Sequence, residues 1–562
     1  MAVKKNTKNS QPRLRFNVRH ALTDIYVILM FTFFPLFLSN YYAAARRDKF
    51  WSFLIITGVI GISVGIISLV NLFTINSTFS KKLNSYRDPF KVNKTDIGFF
   101  AFTGFALVSM LTSSDISHSF IGLTSGVSNG RNMGFLTILM LLTAYMMISR
   151  FYFNKKAVYY CIFAGITIVS LLAVVNYYYI DPLGIFDVYK NSSSYDTVVN
   201  DFTSTIGNKN YLSALICVSL PFSFGMAIAT EDKIMRIISY ISTGLQFMGL
   251  IVATSDGGFL GVFAALAVMA VVVSRNRKHL MRFCLGIAVM MFSSKILWLF
   301  DLVLPQIAKI LQMLNPKFNH FNGNSKGYTS FSKFFISSNY VYIIFIVFAA
   351  IAFFLYYTHN RSESEELPKF VFFGVLGLVC IAVLGFIALI VYFTFIDKET
   401  KLTGMLRFFR FNIYWGTHRG YFWIRAFKIF KDMPLWQKLI GAGPESFYEL
   451  FTPYFSELSK LFHESSSNSA HNVYINYLLT HGILGLSAYL LLVGSAICSS
   501  IKRAQHNPLS LVCAFVIVAY AVQDFVNIAN PVNVPWFIIF IALNESTHLR
   551  ANSTLELTEH NF

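Results

Sequence analysis

Charge is what this sequence has least of: 13% of its 562 residues are Asp, Glu, Lys or Arg, against roughly 25% in an ordinary soluble domain. With 55% of the chain hydrophobic, too little polar surface remains to solvate a water-exposed globule, and a soluble fold is excluded. The segments of about 10 alternating apolar and polar residues that mark a transmembrane barrel are missing too. Residues 370–396 instead run without one charged residue and without alternation. The six cysteines, Cys161, Cys217, Cys284, Cys380, Cys498 and Cys513, lie inside or at the ends of apolar runs with no CxxC. They read as small membrane-embedded hydrophobes, not as a disulfide framework or a zinc site. HExxH, a Walker loop, a dinucleotide fingerprint and a carboxylate-rich metal site are all absent from the sequence, so no metal and no cofactor is expected.

What the chain does have is hydrophobic runs near the length that crosses a hydrocarbon core, on the order of 20 residues per helix. About fourteen such runs stand at 24–42, 52–74, 97–112, 134–150, 157–180, 210–229, 236–254, 258–274, 283–300, 338–357, 370–396, 473–498, 509–528 and 534–546. The expected fold class is therefore all-α, a polytopic integral membrane protein of about 12–14 transmembrane helices. Lys4, Lys5, Lys8, Arg13, Arg15 and Arg19 precede the first run, and without a small-residue cleavage site after it that run reads as an uncleaved span.

Lys and Arg are retained on the cytoplasmic side of short loops. With the amino terminus inside, that side receives Lys81, Lys82, Arg87, Lys91 and Lys94, then Arg150, Lys155 and Lys156, then Arg275, Arg277, Lys278 and Arg282, then Lys502 and Arg503. Asp181, Asp187, Asp196 and Asp201 fall on the other side. Arg46, Arg47 and Lys49 disagree, since the alternation puts them outside, which makes the region before residue 97 the weakest part of the scheme. The net charge of +19 is thus explained by orientation, and no nucleic-acid partner is expected because the basic residues do not form one face.

The organisation that follows is a basic cytoplasmic segment 1–23, transmembrane helices over 24–396, one long extracytoplasmic loop 397–472, carboxy-terminal transmembrane helices over 473–548, and a cytoplasmic tail 549–562. The loop is far longer than a typical helix connection, so it is functional or disordered. Phe408, Phe409, Phe411, Tyr414, Trp415, Tyr421, Phe422, Trp423 and Phe427 make it too aromatic for a solvated linker. Apolar residues at helical spacing from Tyr421 to Phe430 predict an amphipathic helix ended by Pro434.

Between Asp397 and Lys438 the loop holds nine Lys or Arg against Asp397, Glu399 and Asp432. Guanidinium groups bond phosphate in a planar, two-pronged way that ammonium does not, so the cluster suits a diphosphate; contact with lipid headgroups is the plainer alternative. Gly441 and Gly443 allow a tight turn or a close approach to a ligand. His471 stands at the mouth of a span, where an imidazole can act as general base or simply sit at the interface. Gly482 and Gly485 within the span read as close helix packing.

His471-Asn472, nine residues, then Gly482, Gly485 and Tyr489 resembles the signature of the O-antigen ligase and O-antigen polymerase superfamily. The block from Arg419 through Trp423 to Gly441, Gly443 and Phe447 is similar to that family's preceding motif, and Gly207-Asn-Lys-Asn210 resembles its asparagine-containing segment. The resemblance implies a glycosyltransferase-C-like bacterial enzyme of the cytoplasmic membrane, working in cell-surface polysaccharide biosynthesis. It would transfer a glycan from an undecaprenyl diphosphate carrier to an acceptor hydroxyl on the outer face, by inversion and without metal. Its partners would be a polyprenyl diphosphate-linked glycan donor, a glycan, lipid or protein acceptor, and membrane lipid. His471 would be the base and Arg419 a ligand of the diphosphate, with Asn472, Gly441 and Gly443 in the substrate site. Where the family commonly shows Ser-Arg-Gly, this chain reads Ser255-Asp256-Gly257. Either another cation, such as Arg425, Arg410 or Lys209, replaces that arginine, or the donor differs. The competing class is a lipid-linked oligosaccharide flippase or polysaccharide transporter.

The orientation has a direct test. Cysteines introduced near Ser466 should react with an impermeant thiol reagent in intact cells, and cysteines near Arg277 only after permeabilisation. Equal labelling of both would overturn the topology and the outer-face mechanism together.

Overall fold

The computed structural model describes residues 18–39, 41–74, 92–122, 131–153, 155–186, 199–200, 202–314, 323–359, 364–504 and 507–551. Lys4 to Arg15, Lys81, Lys82, Arg87, Lys91, Asp187, Asp196 and Asp201 lie outside the described residues, as do 552–562. Twelve described helices are long and apolar enough to cross a membrane, and Phe135–Phe151 and Val534–Thr547 are shorter apolar helices.

The chain opens with α1 (Val18–Phe31), the short α2 (Phe33–Leu36) and α3 (Tyr41–Thr74), followed by α4 (Lys94–Leu111) and α5 (Ile116–Ile121). Next come α6 (Phe135–Phe151), α7 (Lys156–Tyr177), a two-residue antiparallel pairing of β1 (Phe202–Thr203) with β2 (Gly207–Asn208), and α8 (Lys209–Ala229). Then α9 (Lys233–Val252), α10 (Asp256–Val273), α11 (Arg277–Leu314), α12 (Ser330–Ser337), α13 (Tyr340–His359) and α14 (Lys369–Val391) bring the chain to the long loop.

Side-chain oxygens fix many helix starts by accepting the unpaired first N–H groups. Asn93 and Asp96 form a reciprocal capping box on α4, while Asn208 caps α8 and Asp232 caps α9. The central helix is α8, whose residues from Leu212 to Ile228 are all buried. At the other extreme, α14 buries no residue, as expected of a helix whose apolar surface is covered by lipid. The run expected at 283–300 is part of α11, a single helix continuing to Leu314.

Within the bundle, small residues let backbones approach. A side-chain carbon on Gly98 would lie 2.6 Å from the backbone nitrogen of Leu492, so α4 meets the later helix at residue 492 with no room for more than hydrogen.

Ion pairs and hydrogen bonds show which helix ends lie together. At one face, Ser109 at the end of α4 donates to the Thr480 carbonyl (2.7 Å), Ser255 before α10 donates to Asn210 at the start of α8 (2.8 Å), and Arg131 before α6 pairs with Glu445 of the loop (3.1 Å). At the opposite face, Lys156 meets Asp232 (2.7 Å) and Arg282 meets Glu231 (3.3 Å). Spanning helices therefore alternate in direction, and the loop lies on the face where α3 begins. Lys49 shows why a basic residue stands there. It is fully buried and donates to the carbonyls of Pro35 and Phe37 at 3.0 and 2.7 Å, satisfying the open end of α2.

The face away from the loop is held by buried charge. Asp96 accepts from Arg150 at 2.7 Å and from the Tyr145 hydroxyl at 2.6 Å. Glu545 accepts from Arg503, Thr95 and Ser499 at 3.0, 3.1 and 2.8 Å. Removing one partner strands the other in a site where it cannot be solvated. We expect Asp96→Ala to cost about 3–5 kcal/mol, read as a lower thermal-unfolding midpoint in detergent micelles. Lys278→Ala, which breaks a more exposed pair with Glu231, should cost about 0–1 kcal/mol. Equal losses would mean that the buried network does not hold this face.

Candidate functional site

The loop folds into short helices. Arg410 is anchored at its start, with Nε donating to the Phe393 carbonyl at 3.0 Å and a terminal nitrogen donating to the Asp397 carbonyl at 2.9 Å. It thereby satisfies acceptors left open where the helical run through Ile396 ends. The amphipathic helix expected after Tyr421 is present as α15 (Trp415–Asp432), and its first turn is not helical. Gly416, Thr417 and His418 all have left-handed backbones, with φ of 60°, 60° and 67°. Regular helix begins at Arg419. A side chain at Gly420 would lie 1.9 Å from the Asn412 carbonyl oxygen, so the turn closes tightly against the helix it launches.

Arg419 folds back to donate to the Gly416 carbonyl, and its Nε is buried without a partner. Crowding by protein pulls the guanidinium down to about 10, opposed by the negative charge of Asp256. The carboxylate at the position where a second arginine was expected thus faces the first one. Asp256 is also within electrostatic reach of Arg407.

One face of α15 is buried at Tyr421, Phe422, Ala426 and Ile429. These pack with Ala442, Phe447, Phe451, Ala470, Ile475 and Leu479 in a core separate from that of the membrane helices. Arg425 lies on another side, bonded to Glu457, which also accepts from the Tyr421 hydroxyl at 3.1 Å.

After α16 (Leu435–Ile440), the Gly441–Ser446 turn leads into α17 (Phe447–Phe451) and α18 (Phe455–Phe462). The two glycines, with φ of 86° and 114°, lie against protein backbone. Ala442 and Gly443 donate to the carbonyls of Leu479 and Thr480, both at 3.1 Å, capping the end of α19 (Val473–Thr480). A Cβ on Gly441 would lie 2.3 Å from the Thr480 oxygen. The single span expected at 473–498 is broken here into α19 and α20 (Gly482–Arg503). Gly482, with φ of 70°, is the hinge of that break, packed against the Leu439 carbonyl. The remaining helices, α21 (Pro508–Gln523) and α22 (Val534–Ala551), complete the bundle.

His471 immediately precedes α19, and Asn472 caps that helix by accepting from the Ile475 N–H at 3.0 Å. The Asn472 side chain is thus used in building the site. His471 itself has φ of 50°, donates its backbone N–H to Ser469 Oγ at 3.0 Å, and lays its ring against Phe422 with centroids 5.5 Å apart. The residue is half-buried, and no described group bonds either ring nitrogen. Desolvation first, then the positive charges of Arg419 and Arg131, hold the imidazole down to about 3, so it is neutral at physiological pH. Lys209 lines a cavity of about 210 Å³ with Tyr177, Lys326 and Thr254, which stands two residues before Asp256.

The structure thus brings His471, Asn472 and Arg419 together with Asp256, and ties Arg425 and Arg410 to partners of their own. Arg131 and its partner Glu445 were not singled out from the sequence. The signal available was Gly130-Arg131-Asn132-Met133-Gly134, a lone cation between glycines just before an apolar run.

Residues 328–490 match the O-antigen ligase family, a range that takes in α12, the whole loop, Arg419, His471 and the break at Gly482. No curated protein matches the chain. The matched stretch holds Arg419, Asn472 and His471, and over it the chain is similar to the O-antigen ligase family.

Proposed function

We propose that the protein transfers a glycan from an undecaprenyl diphosphate carrier to an acceptor hydroxyl at the outer face of the bacterial cytoplasmic membrane, in cell-surface polysaccharide biosynthesis. The observation that carries this reading is a neutral histidine with open ring nitrogens beside a desolvated arginine, both on an ordered loop at one face of a helical bundle. The match of residues 328–490 to the O-antigen ligase family supports a lipid-linked glycan donor and a glycosyltransferase-type activity.

In the transfer, the acceptor oxygen attacks the anomeric carbon from the side opposite the diphosphate. The bond from that carbon to the phosphate oxygen breaks, and its electron pair leaves with the polyprenyl diphosphate. Arg419 stabilises the charge developing on the leaving group without reorganising at the moment of reaction. His471 takes the acceptor's proton and returns it to solvent. An imidazole held near 3 is a weak base, but a bound diphosphate offsets the positive field of Arg419 and raises its proton affinity. Donor binding and base strength are then coupled. The inverting course and the lack of any metal requirement belong to this same reading.

The flippase or transporter alternative would place ionisable groups and broken helices near mid-membrane. Here the break at Gly482 and the cluster of cations both lie at the face of the bundle that carries the loop.

His471→Ala should lower turnover by about 10²- to 10⁴-fold with donor affinity nearly intact, since the imidazole meets the acceptor. The measurement is transfer of labelled glycan in proteoliposomes, beside a translocation assay on the same vesicles. A variant that keeps its rate would return His471 to a structural role, and translocation without transfer would favour the transporter.

Arg419→Lys should lose most activity despite keeping the charge, because an ammonium cannot reproduce the planar fork. Near-normal turnover would reduce Arg419 to a general electrostatic contributor.

A further inference from the structure

The cavity that Lys209 lines lies outside the stretch that carries Arg419 and His471. Tyr177, Asn200, Lys209, Thr254, Lys326 and Gly327 wall a space of about 210 Å³, and all six precede residues 328–490, the part of the chain that matches the family. They come from the end of α7, the start of α8, the link between α9 and α10, and the segments before β1 and α12. Sites that enclose a drug-sized molecule run to about 300–1,000 Å³, so this one takes a single compact group.

The walls are fixed by bonds of their own. The Tyr177 hydroxyl donates to the Gly327 carbonyl at 2.7 Å, and the Lys326 N–H donates to the Tyr177 carbonyl at 3.2 Å, which holds residues 326 and 327 on the end of α7. The Lys326 ammonium donates to the Val199 carbonyl and lies over the rings of Tyr179 and Phe186, at 5.6 and 5.4 Å from their centres. Asn200 accepts from the Tyr179 hydroxyl at 2.9 Å. Gly327 has φ of 96°, and nothing lies within 4 Å of where a side chain would start, so the wall is open there.

The described residues that line the cavity thus include two lysines and no carboxylate, with the Asn200 amide and the Thr254 hydroxyl beside them. Asp301 accepts from the hydroxyls of Tyr178 and Tyr328, at 3.0 and 2.7 Å, and is not in the wall. Like charges that share a cavity repel, and a bound anion relieves both. Amide and hydroxyl groups can donate to and accept from the hydroxyls of a sugar.

The cavity also adjoins Asp256 directly. Lys209 is followed by Asn210, whose side chain accepts from the Ser255 hydroxyl at 2.8 Å, and Ser255 stands between Thr254 and Asp256. Consecutive Cα atoms are about 3.8 Å apart, so Thr254 and Asp256 are separated by at most about 7.6 Å.

We propose that this cavity is a subsite for an acidic sugar residue of the glycan substrate, with Lys209 and Lys326 on its carboxylate or phosphate and Asn200 and Thr254 on its hydroxyls. This rests on the glycosyl-transfer reading of the neighbouring site. It makes charge on the glycan, and not only the diphosphate of its carrier, a determinant of which substrate is taken.

The test uses the full-length protein in phosphatidylcholine nanodiscs, with binding followed by ligand-observed NMR. Methyl glucuronide and glucose 6-phosphate are the probes, methyl glucoside is the neutral counterpart, and inorganic phosphate is the bare anion. We expect both acidic sugars to bind about tenfold or more tightly than methyl glucoside and than phosphate, and to weaken as ionic strength rises. Lys209→Gln should weaken them by about tenfold, and Lys209→Arg, which keeps the charge, should restore most of the affinity. Lys326→Gln would also remove the bond to the Val199 carbonyl, so Lys209 carries the variant arm. If Lys209→Gln fails to fold, the comparison of probes on the wild type decides alone.

Equal binding of methyl glucuronide and methyl glucoside overturns the proposal, as does Lys209→Gln binding like the wild type. Phosphate bound as tightly as the acidic sugars overturns it too, since that describes an anion site without sugar recognition. Probe binding that disappears in phosphatidylglycerol nanodiscs would assign the cavity to a lipid headgroup, with the same result. Glycan transfer is measured in parallel in proteoliposomes. Lys209-dependent binding of acidic sugars by a protein that transfers no glycan would uphold the sugar site and sink the transfer reading, whereas transfer without such binding would do the reverse.

Discussion

Keeping positive charge out of bulk water is the constraint on which the loop face of this protein depends. Arg131 is buried and pairs with Glu445 at 3.1 Å, while Arg419 is crowded by protein, bonds the Gly416 carbonyl and has Asp256 only within electrostatic reach. A buried guanidinium without a partner is strongly destabilising, so the Arg131–Glu445 pair constrains how the loop and the helical bundle meet. Arg131 precedes α6 and Glu445 lies in the loop; Arg419 lies in the loop and Asp256 opens α10. The Arg131–Glu445 pair ties the loop to the bundle across that boundary.

His471 lies within electrostatic reach of both arginines. Its ring is shaped by packing against Phe422, and its protonation state is set by desolvation and by the two arginines together. An isolated interfacial histidine would titrate near its ordinary value and be partly charged in mildly acidic surroundings. This one stays neutral, and its nitrogens are left unbonded by the described residues. Burial is the first reason that it is a weak base, and a negatively charged donor would offset the second, the positive field of the arginines.

Much of this architecture was legible in the sequence because lipid imposes a strict rule on backbone polar groups, and only continuous apolar helices satisfy it without help. The helical runs were readable for that reason, as was the aromatic loop helix stopped before Pro434. The break at His481–Gly482 was not legible, because the apolar pattern runs on through it. What ends α19 is a backbone docking from Ala442 and Gly443, some forty residues earlier, and hydropathy carries no trace of such pairing. Arg131 escaped for a similar reason. Its significance comes from Glu445, more than three hundred residues away, and charge counting by loop can register only which side a cation is on. Lys49 is the converse case: it contradicted the orientation rule as a charge and is explained as a donor to two carbonyls.

Backbone strain gives an independent measure of where the fold has been shaped for something other than stability. Nine described non-glycine residues have positive φ: Asn132, Tyr179, Ser204, Thr254, Thr417, His418, Glu445, His463 and His471. Six of them are, or stand within two residues of, Arg131, Asp256, Arg419, Glu445 or His471. A fold under selection for stability alone would have no reason to gather such conformations on the five segments that carry these residues. They are sustained because each is over-determined locally: Arg419 bonds back to the Gly416 carbonyl, Ser469 accepts the His471 N–H, and Arg131 grips Glu445 through both side chain and backbone. The same bonds that hold the strain aim the side chains. Relaxing Thr417 and His418 to ordinary helix would carry the chain on into Arg419 without a turn, and the guanidinium would lose its bond to the Gly416 carbonyl. The strain, the Arg131–Glu445 pair and the packed His471 ring are thus set by the same bonds that hold the loop to itself and to the bundle.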